Sequence, residues 1–248
     1  MSLVLDRRGT IGRLGARARL LATLVLLLGI TALHGLPAQA LALGLGLGLV
    51  LAGGQALRPL GRRLLHLEGF LVVLLLLLPL TVPGPSLLDL GPFGIGETGL
   101  RRALGIVFKV NAAILVIYAL IGGLEPLRLG HAARGLGVPL RLVQLFLFTT
   151  RYVDVYRGEI RRLLEAMKAR GFTPRTSLHS FRTFGNLAGM VLVRALEKSA
   201  RVEEAMRCRA FDGRLPAIAP EDEGPGGALC VTLAVLAALA LLLLDYWS

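Results

Sequence analysis

The sequence predicts an all-α membrane protein, with about five transmembrane helices and a region of amphipathic helices on the cytoplasmic side. Three observations carry this. Of the 248 residues 54% are hydrophobic, and the mean hydropathy of +0.68 exceeds that of a soluble domain of this length. The apolar residues gather in runs close to the length that crosses a bilayer. The formal charge of +12 lies mostly between those runs, and no basic stripe interleaved with aromatics offers a platform for nucleic acid.

The first run, Leu20 to Leu33, follows Arg7, Arg8, Arg13, Arg17 and Arg19. A basic start and an apolar run resemble a signal peptide. However, no small-residue cleavage site closes the run, and a second run follows at once, so the sequence reads as a first span. His34 to Pro37 interrupts, and Ala38 to Gly54 continues, broken only by Gln39. Two short helices joined by a tight turn are expected, with one long bent helix as the alternative. The glycines at 44, 46, 48, 53 and 54 are expected to let a neighbouring helix approach closely.

The third span is expected over Leu64 to Leu80, the fourth over Ala103 to Leu124 and the fifth over Ala228 to Leu244. From Thr81 to Gly99 the Pro and Gly density predicts a loop rather than a helix. Lys109 and Asn111 interrupt the fourth span. An intramembrane cation faces protein or a cavity, or snorkels from the span's outer end; the sequence leaves both open. The expected organisation is residues 1–124 as membrane helices one to four, 125–227 as the cytoplasmic helical region, and 228–248 as the last membrane helix.

Charge then orients the chain. Arg58, Arg62 and Arg63 lie between spans two and three, and seventeen Lys and Arg lie between Glu125 and Gly227. The stretch from Thr81 to Leu100 has none. Five spans with the N-terminus in the cytoplasm place every basic segment inside and the Gly/Pro loop outside. Cys208 and Cys230 make neither a disulfide framework nor a zinc site. The four histidines, His34, His66, His131 and His179, show no ligand spacing, so no metal or other cofactor is expected in this chain.

Within the cytoplasmic region, Leu136 to Thr150 is apolar but short, with Pro139 and Arg141, and is expected to pack under the membrane part. A helix from Tyr152 to Arg170 should follow. Ile160, Leu163, Leu164 and Met167 form its apolar stripe, and Arg161 with Glu165 an i,i+4 pair. Gly171 stands where a left-handed C-cap residue is wanted, and Pro174 prevents continuation. A second amphipathic helix is expected from Asn186 to Arg209, with Leu192, Ala195, Ser199, Val202 and Met206 on one face and Pro216 blocking extension.

The two helix ends share a pattern. The first reads Glu165-Ala166-Met167-Lys168-Ala169-Arg170-Gly171-Phe172. The second reads Glu204-Ala205-Met206-Arg207-Cys208-Arg209-Ala210-Phe211, 39 residues on. Arginine at a helix C-terminus is favoured by the macrodipole alone, which explains one such end more easily than a repeated eight-residue pattern.

On these residues the chain resembles the transmembrane T component of energy-coupling factor (ECF) transporters, most closely the CbiQ group. Further support comes from Leu14 to Leu21, Leu136-Gly137-Val138-Pro139, Thr150-Arg151-Tyr152 and Arg182 to Leu187. The resemblance implies two cytoplasmic coupling helices, each docking its tip in a groove of one of two ATPase subunits. It also implies a substrate-binding S component held in the membrane, and cobalt or nickel ion uptake. ATP and magnesium would then be bound by the ATPases. The implied motifs are Ala169, Arg170 and Gly171, matched in full, and Cys208, Arg209 and Ala210, matched only at the arginine. A methyl at Ala210 costs little in a helical backbone and more at positive φ.

The chain has no Gly-x-x-x-x-Gly-Lys-[Ser/Thr] loop with which to bind ATP itself. Glu203-Glu204 resembles part of the motif of CAAX-type intramembrane proteases, but no histidine follows it in an apolar span. A carrier acting alone would need polar groups converging at mid-membrane, where only Lys109 and Asn111 are available. An S component for a vitamin rather than a metal is a further alternative.

Overall fold

The computed structural model describes residues 14–54, 69, 71–79, 86–90, 93–211 and 226–247. In chain order the elements are α1 (Ala16–Ala32), α2 (Leu36–Ala52), α3 (71–79), β1 (Ser86–Leu90), β2 (Phe93–Gly96), α4 (Glu97–Leu120), α5 (Pro126–Gly135), α6 (Leu140–Ala169), α7 (Leu178–Cys208) and α8 (Gly227–Trp247). They fall into two compact units, one of Met1–Leu136 with Glu221–Ser248 and one of Gly137–Pro220.

The first unit is a helical bundle in which α2 packs on α4, and α1 packs on α8, α4 and α5. Its packing has small residues inside and large apolar ones outside. Ala22, Ala38, Ala42, Ala112, Ala234 and Ala238 are buried, whereas Leu28, Leu51, Leu229, Leu236 and Leu243 are each more than 60% exposed. A water-soluble bundle would expose polar residues there. Helices that pack through small residues and turn leucines outward match an apolar solvent. α4, over Thr98–Leu120, and α8 are long and apolar enough to cross a membrane. α1 and α2 have 17 residues each, below the roughly 20 that a full crossing takes.

The expected break between the first two helices is present. Gly35 is the N-cap of α2, with Pro37 in its first turn, where a missing N–H is harmless. The cap side chain comes from far along the chain. The Asp245 carboxylate, near the end of α8, accepts from the backbone N–H groups of His34 at 3.0 Å and Gly35 at 2.5 Å. Lys109 donates to the carbonyl of Thr31 at 3.2 Å. Its ammonium therefore sits at the C-terminal end of α1, where the helix dipole favours a cation. Asn111 turns its amide back on its own helix, donating to Val107 O at 3.0 Å.

Of the α2 glycines expected to admit a neighbour, Gly46 does so. A Cβ there would lie 3.0 Å from Leu115 Cβ and 3.3 Å from Ala112 O. Gly44 and Gly48 face open space instead, because a helix presents only one side to its neighbour.

Three expectations in this unit are corrected. The Gly/Pro stretch contains an antiparallel hairpin, with Ser86 opposite Gly96 and Leu90 opposite Phe93, so the fold is helical except for one small sheet. α4 begins at Glu97 rather than Ala103, because nothing from Thr98 onward breaks a helix and Arg101 and Arg102 are good helix formers. α8 likewise runs on to Trp247. Of the expected third span only 69 and 71–79 are described. Arg7, Arg8, Arg13, Arg58, Arg62, Arg63, Thr81–Pro85 and Pro216 lie outside the described residues.

The second unit is a hairpin of two long helices. α6 runs unbroken for 30 residues where two segments are expected. Pro139 is its N-cap and interrupts nothing, and Thr149 and Thr150 bond back to the carbonyls of Leu145 and Leu147. α7 starts at Leu178 rather than Asn186, because Ser177 caps it by accepting from Ser180 N at 3.3 Å.

The hairpin is antiparallel. Phe172 meets Phe184 edge-on with ring centroids 5.6 Å apart, Glu159 pairs with Arg194, and Lys198 lies 5.9 Å above the Tyr152 ring. The expected Arg161–Glu165 pair does not form among the described residues; Glu159–Arg194 across the hairpin is the ion pair that ties α6 to α7.

Candidate functional site: two matching helix ends

Both predicted helix ends are real ends, and they have one geometry. At the first, Arg170 is the C-cap of α6, with φ −86° and ψ 12°. Gly171 follows in the left-handed region at φ 83°. Gly171 N donates to Lys168 O at 2.9 Å and Phe172 N to Met167 O at 3.1 Å. This pair of reversed bonds is a Schellman motif, which satisfies carbonyls that the helix leaves open.

At the second, Arg209 is the C-cap of α7, with φ −96° and ψ 19°. Ala210 stands at φ 53°, and among the described residues it is the non-glycine residue with positive φ. Ala210 N donates to Arg207 O at 3.0 Å and Phe211 N to Met206 O at 3.1 Å. The bonds fall on the same positions as in the first motif. The departure of Ala210 from glycine therefore leaves the cap unchanged and stores strain in it, on the order of 1 kcal/mol.

Burial repeats as well. In both ends the Met and the Phe are half-buried, and the Glu, both basic residues, the small residue between them and the left-handed residue are exposed. The Met and Phe anchor the turn while the arginine projects. Among the described residues neither the Arg170 nor the Arg209 guanidinium has a hydrogen-bond or ion-pair partner. Each offers its planar fork of donors to an external acceptor.

The hairpin keeps the two tips apart. Phe172 touches Phe184 near the start of α7, while Arg209 ends α7. From Phe184 to Arg209 the helix rises by roughly 35 Å. Two tips at opposite ends of one hairpin cannot enter a single pocket. Cys208, just before Arg209, is exposed and free.

Sequence reading missed the brace between the helices. Phe148, Tyr152 and Tyr156 recur at i, i+4 and i+8, with centroids 6.4 and 6.2 Å apart. With Val202 and Met206 of α7 they line a groove of about 530 Å³. The i,i+4 aromatic spacing was the available signal.

A family model described as cobalt transport protein, CbiQ, matches residues 13–218. The chain belongs to the CbiQ family. Both helix ends lie within the matched residues. A cobalt transport protein CbiQ of Rhodobacter capsulatus is 28% identical over 162 residues, covering 63% of this chain and 66% of that relative. The chain thus spans just under two thirds of the length of the curated relative it matches. Membership of the CbiQ family, together with the leucine-clad bundle, marks a membrane protein.

Proposed function

We propose that this CbiQ-family chain is the transmembrane coupling subunit of an ECF-type ABC importer. It takes up the movement of two ATPase subunits and passes it to a substrate-binding S component, in the uptake of cobalt or nickel ions. It has no catalytic role: ATP and magnesium belong to the ATPases, and the S component selects the substrate. The bundle lies in the cell membrane, with the N-terminus and the α6–α7 hairpin on the cytoplasmic side.

One observation carries this reading, namely two exposed arginine tips of one design at opposite ends of one hairpin. An arginine on a rigid C-cap presents a bidentate donor to a carboxylate in a partner's groove. Two equal tips call for two equal grooves, which a pair of identical or homologous ATPases supplies. Each contact is small. Held on one hairpin, the second docking is intramolecular and the pair gains avidity. When the ATPases close on ATP, the grooves approach each other, and a hairpin that bridges them must tilt or bend.

The repeat favours this over a carrier that acts alone, since tips facing solvent serve no permeation path. The protease alternative places Glu203 in chemistry, whereas Glu203 is exposed and paired with Arg207 at 2.5 Å. Native mass spectrometry of the detergent-extracted complex tests the assignment. Two ATPase subunits and one S component per chain are expected. A stable complex with a single ATPase, or transport by the isolated chain, would defeat it.

A further inference from the structure

Each arginine tip is braced by the helix that does not carry it. At the first tip Phe172, just beyond α6, meets the Phe184 ring of α7 edge-on. At the second, Met206 of α7 lines the larger groove with Leu145, Phe148 and Tyr152 of α6. Tyr156 stands between these two braces. It ends the row of neighbouring rings Phe148, Tyr152 and Tyr156. It lines the groove that holds Met206, and also a second groove of about 460 Å³ with Ile160, Phe184, Val191 and Ala195. A row of large side chains thus runs from Met206 through Phe148, Tyr152 and Tyr156 to Phe184 and Phe172, from one tip to the other.

Polar contacts bracket Tyr156. Lys198 lies over Tyr152 one turn before it, and Glu159 pairs with Arg194 about one turn after it. Between those contacts α7 offers Ala195, whose methyl is too short to hold two helices apart. The distance between packed helices is set by the side chains at their contact. At the middle of the hairpin the half-buried Tyr156 ring therefore sets it, with a rigid body that turns about only two χ angles.

We propose that Tyr156 is a positioning residue: its ring fixes the spacing of α6 and α7 at mid-hairpin, and with it the separation of the Arg170 and Arg209 tips. The consequence for transport rests on the reading of the tips as ATPase contacts. Linked docking gains avidity only when the geometry lets both tips engage at once. A hairpin loosened at its middle keeps each tip intact and presents the pair at a varying separation. The body of the ring does this, so the hydroxyl is dispensable.

The spacing is tested without any partner. Spin labels on Lys168→Cys and on the native Cys208, with Cys230→Ala, report the tip-to-tip distance by electron double resonance on the full chain in nanodiscs. Tyr156→Leu should broaden the distance distribution, and Tyr156→Phe should leave it as in the unaltered chain. Phe184→Leu, at the next ring in the row, should broaden it as well and gives the reading if Tyr156→Leu fails to reach the membrane. A distribution left unchanged by these leucine variants would overturn the proposal. The consequence is tested by binding of the transporter's purified ATPase to the same nanodiscs. Tyr156→Leu should weaken the ATP-closed pair about tenfold or more, part of the gain that linked docking supplies, and change binding of a single ATPase subunit by less than about twofold. An equal loss for the single subunit would show a damaged tip rather than lost spacing, and would overturn the proposal. Undiminished ATPase binding by R170A/R209A would defeat the reading of the tips, whereas the distance measurement still decides the role of Tyr156.

Discussion

Ala210 occupies the position in α7 that Gly171 occupies in α6, in the same left-handed backbone, with φ 53° against 83°. Both residues give their N–H to the carbonyl of the base three positions back. The cap has been kept although the residue suited to it has not. An alanine persists in that region only when its surroundings hold it there.

Opposite effects should therefore follow at the two positions. Ala210→Gly is expected to stabilise the second helix end by about 1 kcal/mol, and Gly171→Ala to destabilise the first by a similar amount. Amide hydrogen exchange at 171–172 and 210–211 reads each cap separately. Slower exchange after Gly171→Ala would show that the left-handed cap is not the conformation this helix end adopts in the protein.

Asp245 joins the end of α8 to the turn between α1 and α2. Asp245→Ala should lower stability by about 1–2 kcal/mol, the value of a lost cap, and Asp245→Asn by less, because one acceptor remains. Asp154→Asn, whose pair with Arg157 is exposed, should change stability by less than about 0.5 kcal/mol. Thermal melts in detergent check the order, and equal effects at 245 and 154 would contradict it.

The glycines of α2 allow a comparison within one helix. Gly46→Val should cost about 1–3 kcal/mol by forcing α2 away from Leu115 and Ala112. Gly44→Ala and Gly48→Ala meet nothing within 4 Å and should be neutral or slightly stabilising, since alanine favours helix. Melting temperatures of the three variants decide. A Gly44→Ala loss as large as that at Gly46 would mean the wrong side of α2 has been assigned to the interface.

Glu159 and Arg194 tie the hairpin together. A double-mutant cycle to alanine should give a coupling of about 0.5–1 kcal/mol, the range for a partly exposed pair. Zero coupling, measured by melting, would remove this pair from the brace and leave the aromatic groove to hold it.

Much of this fold is written in the sequence, because membrane helices and C-caps have local signatures. The break at Gly35 and the caps at Arg170 and Arg209 follow from Pro37, Gly171 and the repeated pattern. What was not legible depends on residues far apart in the chain. Nothing near His34 indicates that Asp245 caps its turn. The continuity of α6 through Thr149 and Thr150 depends on hydroxyls bonding back to their own helix, and the earlier start of α7 on a serine cap. The hairpin between β1 and β2 hides in Gly/Pro density, which marks turns without telling a loop from short strands. The paired arginines were found by pattern, but their equal geometry required the backbone angles at Ala210, where the composition points the other way.

On the proposed function, the two arginine tips do the same work. ATP-driven cobalt uptake by the complete transporter, assayed for Arg170→Ala, Arg209→Ala and the double variant at equal membrane levels, tests it most directly. The matching caps predict that the two single variants fall within about twofold of each other. They also predict that the double variant loses uptake by tenfold or more, as expected if each lost charge-assisted contact is worth roughly 1.5–3 kcal/mol. Near-normal uptake by the double variant would contradict the account.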